Sequence, residues 1–423
     1  MEDEFQALKS NNTWVLVPRP SGANIVGSNP IVKASTVRVV LSLATIYRWS
    51  LCQLDVRNAF LNGNLTETVY MEQATGFIDA RFPTHVCRLQ NALYGLKQAP
   101  RACQADQSLY FKTTKSITYL FVYVDDIIII GSDSSLIKSF VTRLHKEFSI
   151  KDLGLLGYFL GLEVSHSNTG LFLSQAKYAH NILARAGMLN SKPVATLLAT
   201  TDTFLSKGVS FHDPTLYRSL VGALQYLTIT RPDISYAVNQ ASQHLQAPTT
   251  SHFQLVKRIL RYVKGTITFG LTFSKPTSAT IVGYSNADWA RCIETRRSSY
   301  GYSIYLGGNL VSWSAKKQPT FSRSSCESVY RAMANTVAEI IWLTHLLREL
   351  HALPAARPTL LCDSKSAIFL TQNPVSYKRA KHIDIDYHFV RELFSFGCLY
   401  TKFVPFNLQV ADIFTKSLSR PPL

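Results

Sequence analysis

The chain has 423 residues, 46% apolar and 17% charged, so it can bury real cores, and at about 150 residues per domain its length predicts roughly three. Lys plus Arg number 44 against 27 Asp plus Glu, a net charge of +17, which calls for a polyanionic partner, either nucleic acid or an acidic membrane surface. A membrane span is excluded on sequence grounds: it needs about 18 uninterrupted apolar residues, and the most apolar run, 119–130, contains Asp125 and Asp126.

In chain order, residues 1–165 alternate short β-rich runs with helical stretches. Strands are expected at 51–56, 66–72 and 119–130, and helical spacing of Leu136, Ile137, Phe140, Val141, Leu144 and Phe148 predicts a helix over 136–148. Residues 166–274 form a second block, with a helix at 175–186, a Thr-, Ser- and Pro-rich loop at 191–214, and further helix. Its last helix, 251–264, is amphipathic: Phe253, Val256, Ile259, Leu260 and Val263 line one side, and Lys257, Arg258, Arg261 and Lys264 the other. That basic side reads either as a solvated face or as a phosphate track. A linker signal at 274–278 opens the third block, 275–423. It reads strand (279–284), hairpin (300–306 and 310–314), long helix (326–351), strand (359–362), helix, strand (399–404) and final helix, a mixed α/β layer. The acidic start Met1-Glu2-Asp3-Glu4 is unlike a targeting peptide, and seven scattered cysteines without a CxxC pair read as reduced thiols of a cytosolic or nuclear protein.

The densest chemistry is Tyr123-Val124-Asp125-Asp126 between two β-branched runs. Adjacent acids there belong at a tight hairpin turn, and burying them side by side is costly unless a cation neutralises them. Taken alone the dipeptide reads as a solvent-exposed turn. A further acid, Asp55 in Gln53-Leu54-Asp55-Val56, ends a short strand and can meet such a turn on a neighbouring strand. Mg²⁺ takes one or two protein carboxylates and keeps positions for water and phosphate, and two ions about 4 Å apart can clamp the oxygens of phosphoryl transfer.

The segments Gln53-Leu54-Asp55-Val56-Arg57-Asn58-Ala59-Phe60-Leu61, Val69-Tyr70-Met71-Glu72-Gln73, Ala92-Leu93-Tyr94-Gly95-Leu96-Lys97-Gln98-Ala99-Pro100-Arg101, Tyr123-Val124-Asp125-Asp126 and Thr230-Arg231-Pro232-Asp233-Ile234 resemble the reverse transcriptase of Ty1/copia-type retrotransposon polyproteins. The resemblance runs along nearly the whole chain. It implies an α/β fold: an α+β palm with an antiparallel sheet and truncated fingers (1–165), a thumb or connection (166–274) and an RNase H-like mixed α/β domain (275–423). It implies catalytic, metal-holding acids at Asp55, Asp125 and Asp126, nucleotide-binding positions at Phe60, Tyr94 and Gly95, Mg²⁺ or Mn²⁺ as cofactor, and an RNA template, a DNA primer, RNA–DNA hybrid and dNTPs as partners. Its setting would be a cytoplasmic virus-like particle or the nucleus, without a membrane. Against the family pattern, only Arg19 to Asn29 fills the place of the basic fingers strands, and a segment is missing where Cys103 runs into Gln104.

The last block resembles the RNase H domain that follows this polymerase, whose chemistry uses four acids. Two positions match Asp363 and Asp412. The other two fall on Asn286, a neutral and poorer Mg²⁺ ligand, and on Val329, which holds no metal. Asp288 is positioned to share a strand face with Asn286, whereas Glu327 lies about 200° around a helix from Val329 and points away. Asp363 and Asp412 read equally as caps of following helices. Three readings follow: an RNA-directed DNA polymerase with a degenerate RNase H domain, a catalytically inactive retrotransposon remnant, or a domesticated nucleic-acid-binding protein.

Overall fold

The computed structural model describes the chain except residues 1–13, 19–32, 57–63, 72–80, 83–84, 92–108, 113–116, 124–125, 148–149, 199–207, 277–278, 374–383 and 417–423. The chain divides into two compact units, 1–33 with 48–157, and 34–47 with 158–423.

The first unit begins with β1 (Trp14–Pro18). Helix α1 (Ala34–Tyr47) follows in sequence but belongs to the second unit. Next come β2 (Ser50–Val56), β3 (Asn64–Met71), β4 (His85–Asn91), β5 (Leu109–Lys112), β6 (Ile117–Tyr123), β7 (Asp126–Gly131), α2 (Ser134–Glu147) and β8 (Ile150–Leu155). They form a three-stranded sheet in the order β1-β4-β3 and a five-stranded sheet in the order β5-β6-β7-β2-β8. The strand-forming run over 119–130 is two antiparallel strands, β6 and β7, with Tyr123 paired to Asp126, as the hairpin turn expected at the adjacent acids requires. β7 is central and buried on both faces, which explains why Ile127 to Ile130 are continuously apolar rather than alternating. Leu54, Leu120, Ile127 and Ile129 pack with Ile137 of α2, backed by Phe140, Val141 and Leu144. Asp133 starts that helix by accepting from the backbone N–H groups of Ser135 and Leu136.

The second unit contains β9 (Tyr158–Phe159), β10 (Leu162–Ser167), β11 (Gly170–Ser174), α3 (Ala176–Arg185), α4 (Pro214–Leu227), α5 (Ser235–Ser242), α6 (Thr250–Gly265) and β12 (Leu271–Ser274). It continues through β13 (Ile281–Asp288), β14 (Ser299–Leu306), β15 (Asn309–Lys317), α7 (Ser325–Glu349), β16 (Thr359–Cys362), α8 (Lys365–Gln372), α9 (Asp384–Ser395) and β17 (Tyr400–Phe403). Strands β12-β11-β10-β9 make one antiparallel sheet, and β15-β14-β13-β16-β17 make another, antiparallel across its first three strands and parallel across its last. The final helix expected after 404 is, among the described residues, two 3-10 turns at Phe406–Leu408 and Val410–Phe414. Gly301 on β14 makes room for the second turn, since a Cβ there would lie 2.3 Å from Phe414 Cβ.

The basic side of α6 is tied to a neighbouring loop. Arg258 donates to Thr196 Oγ1, Arg261 to the Lys192 carbonyl and Lys264 to the Ser191 carbonyl, so three of its four cations hold the 191–196 loop. Lys257 lies over the Phe253 ring.

Helix α1 packs on β15, β12 and β11. Arg38 anchors it: Nε donates to Val311 O and Nη1 to Ile229 O, each at 2.8 Å, and the guanidinium stacks 3.7 Å from the Trp313 ring centroid. Burial lowers the Arg38 pKa to about 9, opposed by Tyr302 and Glu339. Asn309 Nδ2 donates to Ser42 Oγ of the same helix.

Candidate functional site

Two clusters of the acids singled out in sequence fall in the described residues, one in each unit. In the first unit β2 and β7 run antiparallel with Asp55 directly opposite Asp126. Directly opposed residues have Cβ atoms roughly 5 Å apart, so the two carboxylates share one patch at the end of the sheet. The Asp126 carboxyl is held above the ordinary carboxylate range, chiefly by burial and further by the Asp55 charge. A hydrogen bond from Gln53 Nε2 at 3.4 Å opposes the shift. Two facing oxygen donors, one with its charged form disfavoured by its neighbour, suit a hard divalent cation, which relieves that repulsion. Lys151 of β8 pairs with Asp55 on its other side. Gln53 is a site residue that the sequence reading missed, although its i, i+2 spacing from Asp55 places both on one strand face. Asp125, Phe60, Tyr94 and Gly95 lie outside the described residues.

In the second unit, Asn286 on β13, Asp363 just after β16 and Asp412 in the 3-10 turn Val410–Phe414 come together. Asn286 Nδ2 donates to Asp412 Oδ1 at 2.5 Å, and Lys416 forms an ion pair with Asp412 Oδ2. Both oxygens of Asp412 are therefore met by donors of this chain. Burial pushes the Asp363 carboxyl above its ordinary value; the Asp412 charge adds to the rise, while a Gln409 hydrogen bond and Lys416 counter it. Lys416 and Gln409 are the residues missed in sequence, and the i, i+4 spacing of Asp412 and Lys416 was the signal.

Val329 is buried on α7 at 7% exposure and contributes only methyl groups. Asp288, considered as a substitute for Asn286, accepts instead from Ser299 N–H, and burial raises its pKa to about 6 against the pull of Arg291. Glu327 accepts from the Arg323 N–H and the Arg331 guanidinium. Helix caps in this region come from Ser324 and Ser364, the latter in the place proposed for Asp363. This donor set does not fit a pair of divalent ions: one acid is an amide, one is an alkyl group, and a lysine ammonium already neutralises a third.

The first unit thus carries an antiparallel sheet with opposed carboxylates at its end, and the second a five-stranded mixed sheet in the order β15-β14-β13-β16-β17. Residues 21–200 match the family model described as reverse transcriptase (RNA-dependent DNA polymerase). The chain is 42% identical over 99% of its length to the Pol polyprotein of transposon RE1 and 44% identical over 93% to that of RE2, both from Arabidopsis thaliana. It covers 32% and 28% of those polyproteins, about a third of the length of these two relatives. It is also 32% identical to a Ty5-1 transposon protein of Saccharomyces cerevisiae, over 68% of this chain and 100% of that one. Among solved structures the foamy viral protease-reverse transcriptase in complex with double-stranded DNA shares the fold, with a TM-score of 0.54 at 12% identity over 95% of this chain and 69% of that one. The chain belongs to the reverse transcriptase family of copia-type retrotransposon Pol polyproteins. No helix among the described residues is long and apolar enough to cross a membrane.

Proposed function

We propose that this chain is the polymerase and RNase H portion of such a polyprotein, keeping the carboxylates for template-directed DNA synthesis and having lost RNA cleavage. The observation that carries this reading is the in-register pairing of Asp55 with Asp126 at the sheet end. Asp55, Asp126 and, by resemblance, Asp125 would hold Mg²⁺ or Mn²⁺. When bound, the cation supplies charge stabilisation for the phosphoryl group being transferred. The chain's own part is to keep the carboxylates facing one another and, through Gln53, to fix the orientation of Asp126. Phe60, Tyr94 and Gly95 are proposed to contact the incoming dNTP. The natural partners on this reading are an RNA template, a DNA primer and their hybrid, in a virus-like particle or the nucleus. The segments 1–165, 166–274 and 275–423 would serve as palm with shortened fingers, thumb or connection, and RNase H-like domain. Because only Arg19 to Asn29 stands where the family has its basic fingers, triphosphate positioning is weak, which raises the apparent KM for nucleotide and lowers kcat.

Support for the loss of cleavage comes from the second cluster, where Asn286 and Lys416 satisfy Asp412 within the chain. Primer extension on an RNA template with Mg²⁺ tests the proposal. Slow extension abolished by Asp126→Asn is the expected result; no extension at any enzyme concentration favours the inactive remnant.

A further inference from the structure

Among the described residues, strand β17 is the edge of the five-stranded sheet, paired only with β16. Around it, five apolar side chains are exposed within 13 residues: Phe396 just after α9, Tyr400 and Phe403 on β17, and Phe406 and Leu408 beyond it, with Phe396 at 78% and Phe406 at 67%. Such a concentration at a sheet edge is unusual for a surface with no partner. Three of the rings are each attended by a cation from a different part of the chain. Arg357, before β16, lies 5.6 Å from the Tyr400 ring centroid; Lys365, at the start of α8, lies 5.0 Å from Phe403; Lys416 lies 4.2 Å from Phe406. Lys402, on β17 itself, is exposed. Between Glu392 and Asp412 the sequence contains no acid. Asp412 at the far end is engaged by Asn286 and Lys416, so residues 393–411 contribute only positive charge and Asp363 is the acid that borders the strip.

We infer that this edge binds a single strand of nucleic acid, with unpaired bases stacked on Tyr400, Phe403 and Phe406 and phosphates beside Arg357, Lys365 and Lys402. The inference rests on the nucleic-acid reading given under Proposed function and specifies a place and a strand state for it. Aromatic rings interleaved with cations accept any base, because every base has a π-face, and the attending cations match the phosphates. A duplex keeps its bases stacked inside and offers only its backbone, so the rings select the unpaired strand. Alternation along β17 sends Tyr400 and Phe403 to opposite sides of the sheet, which makes the binding element the edge itself rather than either face. The register pairs Phe403 with Cys362, the residue before Asp363, so the strip begins next to the degenerate cluster. Strand that passes the cluster uncut would continue along this edge. A second copy of this chain is disfavoured, because its own net charge of +17 offers a basic edge no complement.

The test uses the full chain and fluorescence anisotropy with a labelled oligothymidylate of roughly 16 nucleotides, beside a blunt duplex of the same length. The proteins are the wild type, Tyr400→Ala, Phe406→Ala, their double variant and Tyr400→Phe. Each ring removed should weaken single-strand binding about fivefold or more, with losses multiplying in the double variant. Duplex binding should stay within about twofold, and Tyr400→Phe should retain wild-type affinity. Unchanged single-strand affinity in the double variant, while the wild type binds both probes, overturns this inference and leaves the nucleic-acid reading standing. Equal losses on both probes overturn it in favour of a backbone contact. Self-association abolished by the double variant with oligonucleotide binding intact assigns the edge to a protein partner instead. A wild type that binds neither probe overturns the inference and the nucleic-acid reading together.

Discussion

Replacing Asp233 with alanine should unfold the second unit more readily than any exposed substitution nearby. Arg231 is almost completely buried, with a side-chain exposure of 3%, and its guanidinium makes two bonds to Asp233, from Nε to Oδ1 at 2.9 Å and from Nη2 to Oδ2 at 2.7 Å. It also donates to the Thr266 carbonyl and hydroxyl and lies against the Tyr262 and Phe269 rings. The Tyr262 hydroxyl donates to the same carboxylate at 3.0 Å. Without Asp233 the cation keeps only neutral partners in a site that has already removed its water. Breaking a buried pair from one side costs about 3–5 kcal/mol, and the 28% exposure of the Asp233 side chain places this case near 3. Tyr262→Phe removes one hydrogen bond to the carboxylate but leaves the ion pair, and should cost about 1.5 kcal/mol. Arg231→Met with Asp233→Leu removes both charges together and should be milder than Asp233→Ala alone. Urea titration of the full chain, read by circular dichroism and tryptophan fluorescence, measures all three against the unaltered chain. A loss within about 0.5 kcal/mol for Asp233→Ala, or a double variant as damaged as the single, would refute the reasoning.

Arg38→Ala should cost about 2–4 kcal/mol, because it orphans the Val311 and Ile229 carbonyls and uncovers Trp313, and Arg38→Lys should restore little, having no planar fork to reach both carbonyls; the urea midpoint followed through tryptophan fluorescence decides this. His244 is stacked on His252 at 3.6 Å between ring centroids, and burial first, then His252 and Lys317, lower its pKa to about 4 against the pull of Glu294. Its folded pKa lies below the unfolded value, so the unfolded chain binds more protons and stability is lost as pH falls from about 6.5 to 4. After discounting for partial exposure this amounts to about 2 kcal/mol, and His244→Phe should flatten the pH dependence of the urea midpoint in that window. Asn286→Asp places a second carboxylate against Asp412; thermal melts should show a lower midpoint in EDTA and a rise on adding Mg²⁺ that the unaltered chain lacks at that site.

Strong periodicity made much of the fold legible. The helix expected at 251–264 is Thr250–Gly265, the one at 136–148 is Ser134–Glu147, and the strand at 359–362 coincides with β16. Helix α1 escaped the sequence reading because it is buried nearly all round. Val37, Val39, Val40, Leu41 and Leu43 crowd together without an amphipathic stripe, and the β-branched run carries no helix signal of its own. The basic side of α6 was legible as a charge pattern but not in its use, since the 191–196 loop that it holds is distant in sequence. At the carboxylate clusters, residue types gave the acids, whereas their neutralisation depends on tertiary neighbours. Nothing local to Asn286 announces that its amide meets Asp412, 126 residues away.

The central claim, synthesis without cleavage, is tested most directly by one reaction in which a DNA primer is extended on an RNA template with Mg²⁺ and both strands carry labels. Slow primer extension should disappear in Asp126→Asn, while the RNA strand stays at full length throughout and is still intact when hybrid has accumulated. RNA cleavage by the unaltered chain, or extension that survives Asp126→Asn, would contradict that claim.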